Sequence, residues 1–312
     1  MTSRLTEQTK GVYIISATPF DGTGAFDTES TDSLMDFYIS KQVTGITILG
    51  MMGEAVKMSS DEAERVMLHM IGRVDGRVPV IVGISDPGLS NMERLAKSSM
   101  DAGACGVMIA PISGLRTDEA IHNYFDQVFA ALGPDIPVCY QDYPLTTNVF
   151  TSVSCFNKMV RDFDQLVMFK HEDCPGLVKL SRIRKTAEDD KTVRRVSILA
   201  GNGGLYLPQE MARGADGAMT GFAYPEMLVT VVNLYGEGKT DQAQDLFDAY
   251  LPVIRYEQQP GFGLAVRKEV LRRRGAIANA STRAPGPKLS ALDHDELSGL
   301  LARLEIKLKE IA

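Results

Sequence analysis

The chain has 312 residues, of which 44% are hydrophobic and 23% are charged, with a formal net charge of −7. This is the composition of a globular protein, and the acidic balance excludes nucleic acid as the main partner, because phosphate binding depends on Lys and Arg. No apolar run approaches the roughly 20 residues of a membrane span, no segment resembles a signal peptide, and the four cysteines lack a zinc-like or CxxC spacing. We therefore expect a cytoplasmic protein with reduced thiols and no membrane, metal or nucleic-acid partner.

Eight short apolar runs rich in β-branched residues recur along the chain. Such runs are typical of strands buried on both faces of a sheet. Amphipathic segments separate them, and the pairs Ser59/Glu62 and Ser90/Glu93 have the capping-box spacing of a helix start. The predicted strands cover residues 12–16, 46–49, 78–82, 107–110, 136–140, 166–169, 196–200 and 217–220.

The strands begin about 30 residues apart, which is close to the period of an eight-unit barrel of roughly 250 residues. The sequence therefore predicts the α/β class, with a (β/α)8 TIM barrel as catalytic domain over residues 1–240. Helical patterns at 241–256, 263–274 and 292–311, with a loop at 276–287, predict a C-terminal helical extension that caps the barrel over residues 241–312.

Residues at the carboxyl ends of the strands are the site candidates in such a barrel. Lys170 directly follows the apolar run 166–169, which places an amine at the barrel mouth. Burial there disfavours the ammonium form and favours a nucleophile that forms a Schiff base with a carbonyl. The alternative is a lysine whose side chain extends from a strand end into water.

Other strand ends carry further candidates. Tyr140 closes strand 5, next to strand 6, so its phenol can donate or accept a proton above the mouth; the alternative is a rim aromatic. Glu54 is either an acid–base group or a carboxylate at a helix start. Glycines after strands 2, 7 and 8 allow close approach of the backbone to a carboxylate or phosphate. His171 alternates away from Lys170 and is expected to be structural.

Five features, taken in chain order, resemble the dihydrodipicolinate synthase and N-acetylneuraminate lyase family. They are Thr18-Pro-Phe20, Gly50-x-x-Gly-Glu54, Tyr140 before a proline-bearing turn, Lys170, and Gly214-x-x-Gly217. The resemblance covers nearly the whole chain. It implies a (β/α)8 barrel with a helical extension, commonly a homotetramer, whose lysine forms an imine with pyruvate or another 2-keto acid.

The resemblance also implies roles for individual residues. Lys170 becomes the imine lysine and Tyr140 the proton shuttle, while the backbone at Met51 and Met52 holds the keto-acid carboxylate. No cofactor is then needed, because the substrate forms a covalent imine with Lys170. The other positions expected to contact the substrate are Thr18, Gly50, Gly201 and Met219.

Three departures bear on the reaction. Met51 and Met52 stand where the synthase has two threonines, and thioethers cannot relay protons. Residues 111–115 lack the synthase tyrosine pair, and residues 144–147 lack its arginine. These losses favour a lyase that dehydrates or cleaves a 2-keto-3-deoxy sugar acid, a small-molecule substrate.

Two carboxylates follow the strand-end candidates at a spacing of two residues. Glu172 follows Lys170 and Asp142 follows Tyr140, and period-2 alternation returns each carboxylate to the side of its candidate. Either can assist departure of the C4 hydroxyl, or cap a helix instead. The alternatives to a dehydratase or aldolase are a lysine-pathway synthase that condenses pyruvate with aspartate semialdehyde, a phosphate-binding isomerase without an imine, and a non-catalytic binding barrel.

Overall fold

The computed structural model describes residues 4–311, in which eight parallel strands close into a barrel in chain order. All eight strands lie where the sequence predicts them, so the predicted (β/α)8 fold is confirmed. The eighth, with two residues, is the shortest. The strands are β1 Gly11–Ile15, β2 Gly45–Ile48, β3 Val80–Gly83, β4 Gly106–Ile109, β5 Val138–Asp142, β6 Leu166–His171, β7 Ser197–Ala200 and β8 Gly217–Ala218.

Helices separate the strands and continue beyond the eighth. The Ser59 hydroxyl accepts a hydrogen bond from the Glu62 N–H at 3.2 Å, as the capping box predicts, whereas the third helix already begins at Leu89, before Ser90. The helices are α1 Thr28–Ser40, α2 Ser60–Val74, α3 Leu89–Asp101, α4 Asp118–Leu132, α5 Pro144–Thr147, α6 Val153–Asp162, α7 Leu177–Asp189, α8 Leu207–Ala212, α9 Pro225–Gly236, α10 Thr240–Glu257, α11 Gly263–Arg273 and α12 Ala291–Ile311, with 3-10 turns at Met51–Gly53, Ala55–Lys57 and Asn202–Gly204.

Strand residues alternate between two cores. One side chain in two fills the barrel interior, where Ile15, Met108 and Leu199 pack together. The other side chains, such as Ile14 and Phe169, pack under the surrounding helices. Each fully buried large apolar side chain contributes about 1.5–3 kcal/mol. Because the interior is filled, a ligand can bind only above it, at the strand ends.

The pairing of β5 with β6 decides which side chains point into the barrel at the mouth. Tyr140 lies opposite Phe169 in the outer layer, and Gln141 lies opposite Lys170 one step further on. A register shift at Val138/Cys139 adjusts the phase of the two strands before this point. Gln141 and Lys170 therefore both face the mouth.

The C-terminal helices share the outer core with the barrel helices, through residues such as Phe247 and Val266. A buried ion cluster ties α11 to the loop after β2. The Lys268 amine lies 2.6 Å from Glu54 Oε1, and Lys57 lies 2.9 Å from Glu54 Oε2. Glu54 thus fastens the extension to the barrel, which differs from both roles that the sequence suggested for it.

Candidate active site

A small chamber lies at the carboxyl ends of the strands, directly above the packed interior. The Lys170 side chain points into it from the end of β6. Side chains alternate along a strand, and the preceding Phe169 points outward. Apolar walls come from Ile15, Met51 and Met52. The polar side chains that line the chamber are Gln141, Tyr143, Lys170, Glu172, Asn202, Thr220, Gln258 and Arg267.

Lys170 and Glu172 form a buried pair in this chamber. The Lys170 Nζ lies 3.0 Å from Glu172 Oε2, and the side chains are only 5% and 8% exposed. Gln141 Nε2 donates to the same oxygen at 2.7 Å, and the Asn202 N–H donates to Oε1 at 3.4 Å. The carboxylate is thus held beside the amine, where it can take up or return a proton at the reacting atom.

Glycines at the strand ends make room for the chamber side chains. A Cβ at Gly201 would lie 2.0 Å from Glu172 Cγ, and one at Gly203 would lie 1.9 Å from Gln258 Nε2. The sequence suggested that such glycines bring the backbone close to an anion. In the structure, the space that Gly201 and Gly203 leave is filled by Glu172 and Gln258, and the approach of an anion to the backbone stays a prediction.

The expectation that the Tyr140 phenol lies over the mouth is wrong. Its ring stacks on Phe169 with centroids 5.8 Å apart, and its hydroxyl is hydrogen-bonded to Thr151 in the layer under the helices. Burial, and next the Asp142 carboxylate, raise the pKa of Tyr140 well above its usual value. Tyr140 faces away from Lys170 because it lies an odd number of residues from the inward Gln141.

Tyr143 is the tyrosine that borders the chamber. It precedes α5 and lines both the chamber and the wider vestibule above it. Burial, and next the nearby Glu172 carboxylate, raise the pKa of Tyr143. A neutral phenol at this place can donate a hydrogen bond to a ligand oxygen.

Only some of the other predicted substrate contacts line the chamber. Met51 and Met52 line the chamber, as expected. Thr18 does not, because its hydroxyl donates to the Gly53 carbonyl at 2.7 Å and so holds the loop after β2. Met219 is packed in the barrel interior below the chamber, and Gly50 caps the 3-10 turn instead of lining the chamber.

The outer face of the same two strands carries its own buried charges. Asp142 pairs with Lys179 of α7, so its predicted place beside the reacting centre is wrong. It does share a side with Tyr140, but that side faces the helices. The predicted structural role of His171 fits its contacts, since Nδ1 lies 2.6 Å from Glu210 Oε1 and Nε2 lies 3.0 Å from the Gly176 carbonyl.

A vestibule leads from solvent to the chamber, and the C-terminal extension forms one side of it. Gln258 lines both spaces, and Arg267 of α11 lines the chamber. Sequence reasoning missed both residues, since they lie about 90 positions from Lys170 and follow no strand. Gln141 and Tyr143, by contrast, lie one and three residues after Tyr140, which the strand-end rule had selected.

Comparison with known proteins agrees with this arrangement. The model of the dihydrodipicolinate synthetase family matches residues 8–304. The chain belongs to this family. Its members are lyases, and this protein is an enzyme of that kind.

Two groups of relatives stand out. The chain is 28% identical to an L-2-keto-3-deoxyarabonate dehydratase of Azospirillum brasilense over 98% of its own length and 97% of the relative. It is 30% identical to a 4-hydroxy-tetrahydrodipicolinate synthase of Persephonella marina over 79% of this chain and 82% of that relative. A crystal structure described as dihydrodipicolinate synthase from Rhodopseudomonas palustris is 48% identical, with a TM-score of 0.94 over 97% of this chain and all of the other.

Two further properties of residues 4–311 concern membranes and metals. No helix in this range is both long enough and apolar enough to span a membrane. The range also holds no group of three or more His, Cys, Asp and Glu side chains arranged to bind a metal ion. The cytoplasmic location and the homotetramer stay predictions.

Proposed function

We propose that this protein dehydrates a 2-keto-3-deoxy sugar acid through an imine on Lys170. The observation that carries the proposal is the contact of 3.0 Å between Lys170 Nζ and Glu172 Oε2 in a chamber at the barrel mouth. It puts one amine nucleophile and one carboxylate at the same reacting centre, with Tyr140 turned away.

In the first step the Lys170 ammonium passes one proton to Glu172, and the amine so formed attacks the C2 ketone. Glu172 gives that proton to the ketone oxygen, then takes a second proton from the nitrogen and returns it to the same oxygen, which departs as water. The product is a protonated imine between Nζ and C2, which withdraws electrons from C3. The covalent imine is the electron sink, so the reaction requires no separate cofactor.

The second step uses the same carboxylate. Glu172 removes a proton from C3, and the C–H electron pair moves into the imine to give an enamine. The enamine then expels the C4 hydroxyl, which takes a proton from Glu172 and leaves as water. Hydrolysis of the resulting unsaturated imine frees Lys170. Gln141 keeps Glu172 aimed at this place, since its amide donates to Oε2 at 2.7 Å.

Two further observations bear on the choice of reaction. The dehydratase relative is matched over nearly its full length, which supports loss of water over cleavage of the C3–C4 bond. The 48% identical structure described as a synthase favours a second candidate, condensation of pyruvate with aspartate semialdehyde. The thioethers of Met51 and Met52 at the chamber wall argue against that candidate, because they offer no hydroxyl relay.

The imine is tested by incubation with pyruvate, reduction with borohydride and peptide mapping. We expect a mass increase on Lys170 and none in Lys170→Arg, which keeps the positive charge beside Glu172. Trapping at another lysine, or no trapping, contradicts the mechanism.

The reaction is tested with a panel of 2-keto-3-deoxy acids, scored for loss of water and for release of pyruvate. We expect loss of water without pyruvate. Pyruvate release would instead assign an aldolase. Efficient turnover in a coupled assay with pyruvate and aspartate semialdehyde would assign the synthase.

A further inference from the structure

Arg267 of α11 is a buried cation with an unused donor. The residue is 2% exposed, and its Nε donates to the Glu257 carboxylate. Its Nη1 is shielded from solvent and has no hydrogen-bond partner within residues 4–311. A buried guanidinium nitrogen without an acceptor is costly, because its hydration has been lost and not replaced. An acceptor supplied by a ligand would remove that cost.

The unused nitrogen lies against Gly221, a residue that lines the chamber. Arg267 lines the same space as Lys170 and Thr220. A Cβ at Gly221 would lie only 2.1 Å from Nη1, so the glycine after β8 is what lets the guanidinium reach this position. Any other residue at 221 would displace it. The end of β8 is thus shaped around a cation that comes from the C-terminal extension.

The chamber is electrically polarised. Glu172 lies on the side formed by β5, β6 and β7, where Gln141 and Asn202 hold it. Arg267 lies on the side formed by β8. Lys170 offsets the charge of Glu172. Glu257 offsets that of Arg267, but Arg267 keeps an unused donor for a substrate carboxylate. Such a contact is strong where water is excluded. The fork of a guanidinium also matches a carboxylate geometrically.

We propose that Arg267 binds the C1 carboxylate of the 2-keto acid through Nη1 and thereby turns C3 and C4 toward Glu172. This inference rests on the proposed imine chemistry. It adds a side-chain cation to the backbone cradle expected at Met51 and Met52, and it explains how a protein of net charge −7 admits an anion. Arg267 is then a residue that determines both affinity for 2-keto acids and their orientation.

The test compares pyruvate with pyruvamide, which has the same shape without the negative charge. For each, the concentration that half-saturates imine formation is measured by borohydride trapping and intact mass. The main variant is Arg267→Met combined with Glu257→Gln, so that no unpaired carboxylate stays buried. Arg255→Met, an exposed arginine of α10, is the matched control for charge loss.

We expect the double variant to need about 10- to 100-fold more pyruvate, the range for a charged hydrogen bond, with pyruvamide unchanged and Arg255→Met like the wild type. Arg267→Lys keeps a charge beside Glu257 and covers the case in which the double variant does not fold. For this variant we expect a several-fold rise in the half-saturating concentration of pyruvate and no change for pyruvamide. An unchanged preference for pyruvate over pyruvamide overturns the proposal. An effect seen only with longer sugar acids overturns it too, since Arg267 would then contact distal hydroxyls.

A second measurement separates this proposal from the imine itself. In Lys170→Arg no imine forms, but pyruvate can still raise the melting temperature by binding to the folded state. We expect a larger rise with pyruvate than with pyruvamide, and equal rises after Arg267 is also replaced. If the wild type traps no imine while this difference persists, only the proposed function fails. If the difference is insensitive to Arg267, the carboxylate assignment fails.

Discussion

The two faces of β5 and β6 carry similar chemistry in different surroundings. On the inner face Lys170 pairs with Glu172, and on the outer face Lys179 pairs with Asp142. Both pairs are buried, and both join a lysine to a carboxylate. The inner pair borders a chamber that opens through a vestibule, whereas the outer pair is covered by α7. Burial and ion pairing therefore do not distinguish the pair that we propose to be catalytic; the space for a substrate beside it does.

The sharpest test of this contrast is to neutralise each carboxylate in turn. Glu172→Gln keeps the shape and removes the base, so we expect kcat to fall about 10²- to 10⁴-fold, or about 3–5 kcal/mol in the barrier. Asp142→Asn should keep kcat within about 3-fold. Steady-state kinetics on the substrate found by the panel measure both. Full turnover by Glu172→Gln would remove this residue from the mechanism.

The Asp142–Lys179 pair should instead affect the free energy of unfolding. Burial raises the pKa of Asp142 to about 6, from an ordinary value of 3.8. Between about pH 4 and pH 6 the folded state holds a proton on Asp142 that the unfolded state has lost. This contribution to stability is present below pH 4 and disappears as the pH rises through 6, by up to about 3 kcal/mol.

The asparagine side chain of the variant Asp142→Asn does not titrate, so the variant does not lose this stability as the pH rises. Urea denaturation at pH 4.5 and pH 7.5 should show that the variant gains stability relative to the wild type as the pH rises. The comparison between the two proteins cancels other titrating groups, such as Glu210, whose pKa is also raised by burial. Parallel pH profiles would contradict the assignment.

Gly201→Ala perturbs the inner pair without removing a functional group. The added Cβ would lie 2.0 Å from Glu172 Cγ and must push the carboxylate away from Lys170. We expect kcat/KM to fall about 10-fold, equivalent to about 1.4 kcal/mol. Gly72→Ala in α2 is the control, since nothing lies within 4 Å of its Cβ position. Equal activity of the two variants would mean that the position of Glu172 is unimportant.

The smallest effect is expected at Tyr140. Tyr140→Phe loses the hydrogen bond to Thr151 and should cost about 1 kcal/mol of unfolding free energy, with kcat within about 2-fold of the wild type. Tyr143→Phe, at the chamber, should lower kcat/KM further than Tyr140→Phe does. Kinetics and urea denaturation of both variants check this. A large loss of kcat in Tyr140→Phe would restore the shuttle role that the family resemblance implied.

The sequence by itself determined the fold and the place of Lys170 at the barrel mouth. Eight apolar runs with a period of about 30 residues leave few alternatives to a barrel. Once the barrel is given, a lysine directly after the apolar run of strand 6 must lie at its mouth. The spacing of two residues also placed Glu172 correctly on the same side as Lys170, because alternation within one strand does not depend on the rest of the chain.

Only the tertiary structure decided which way β5 faces and what else reaches the chamber. A strand that is apolar on both sides does not reveal its inward face, so Tyr140 and Asp142 were assigned to the wrong side, and Gln141 lies opposite Lys170 instead. Gln258 and Arg267 enter from helices that the strand-end rule does not cover. Their positions follow from how the C-terminal extension packs on the barrel, which depends on contacts between residues far apart in the sequence.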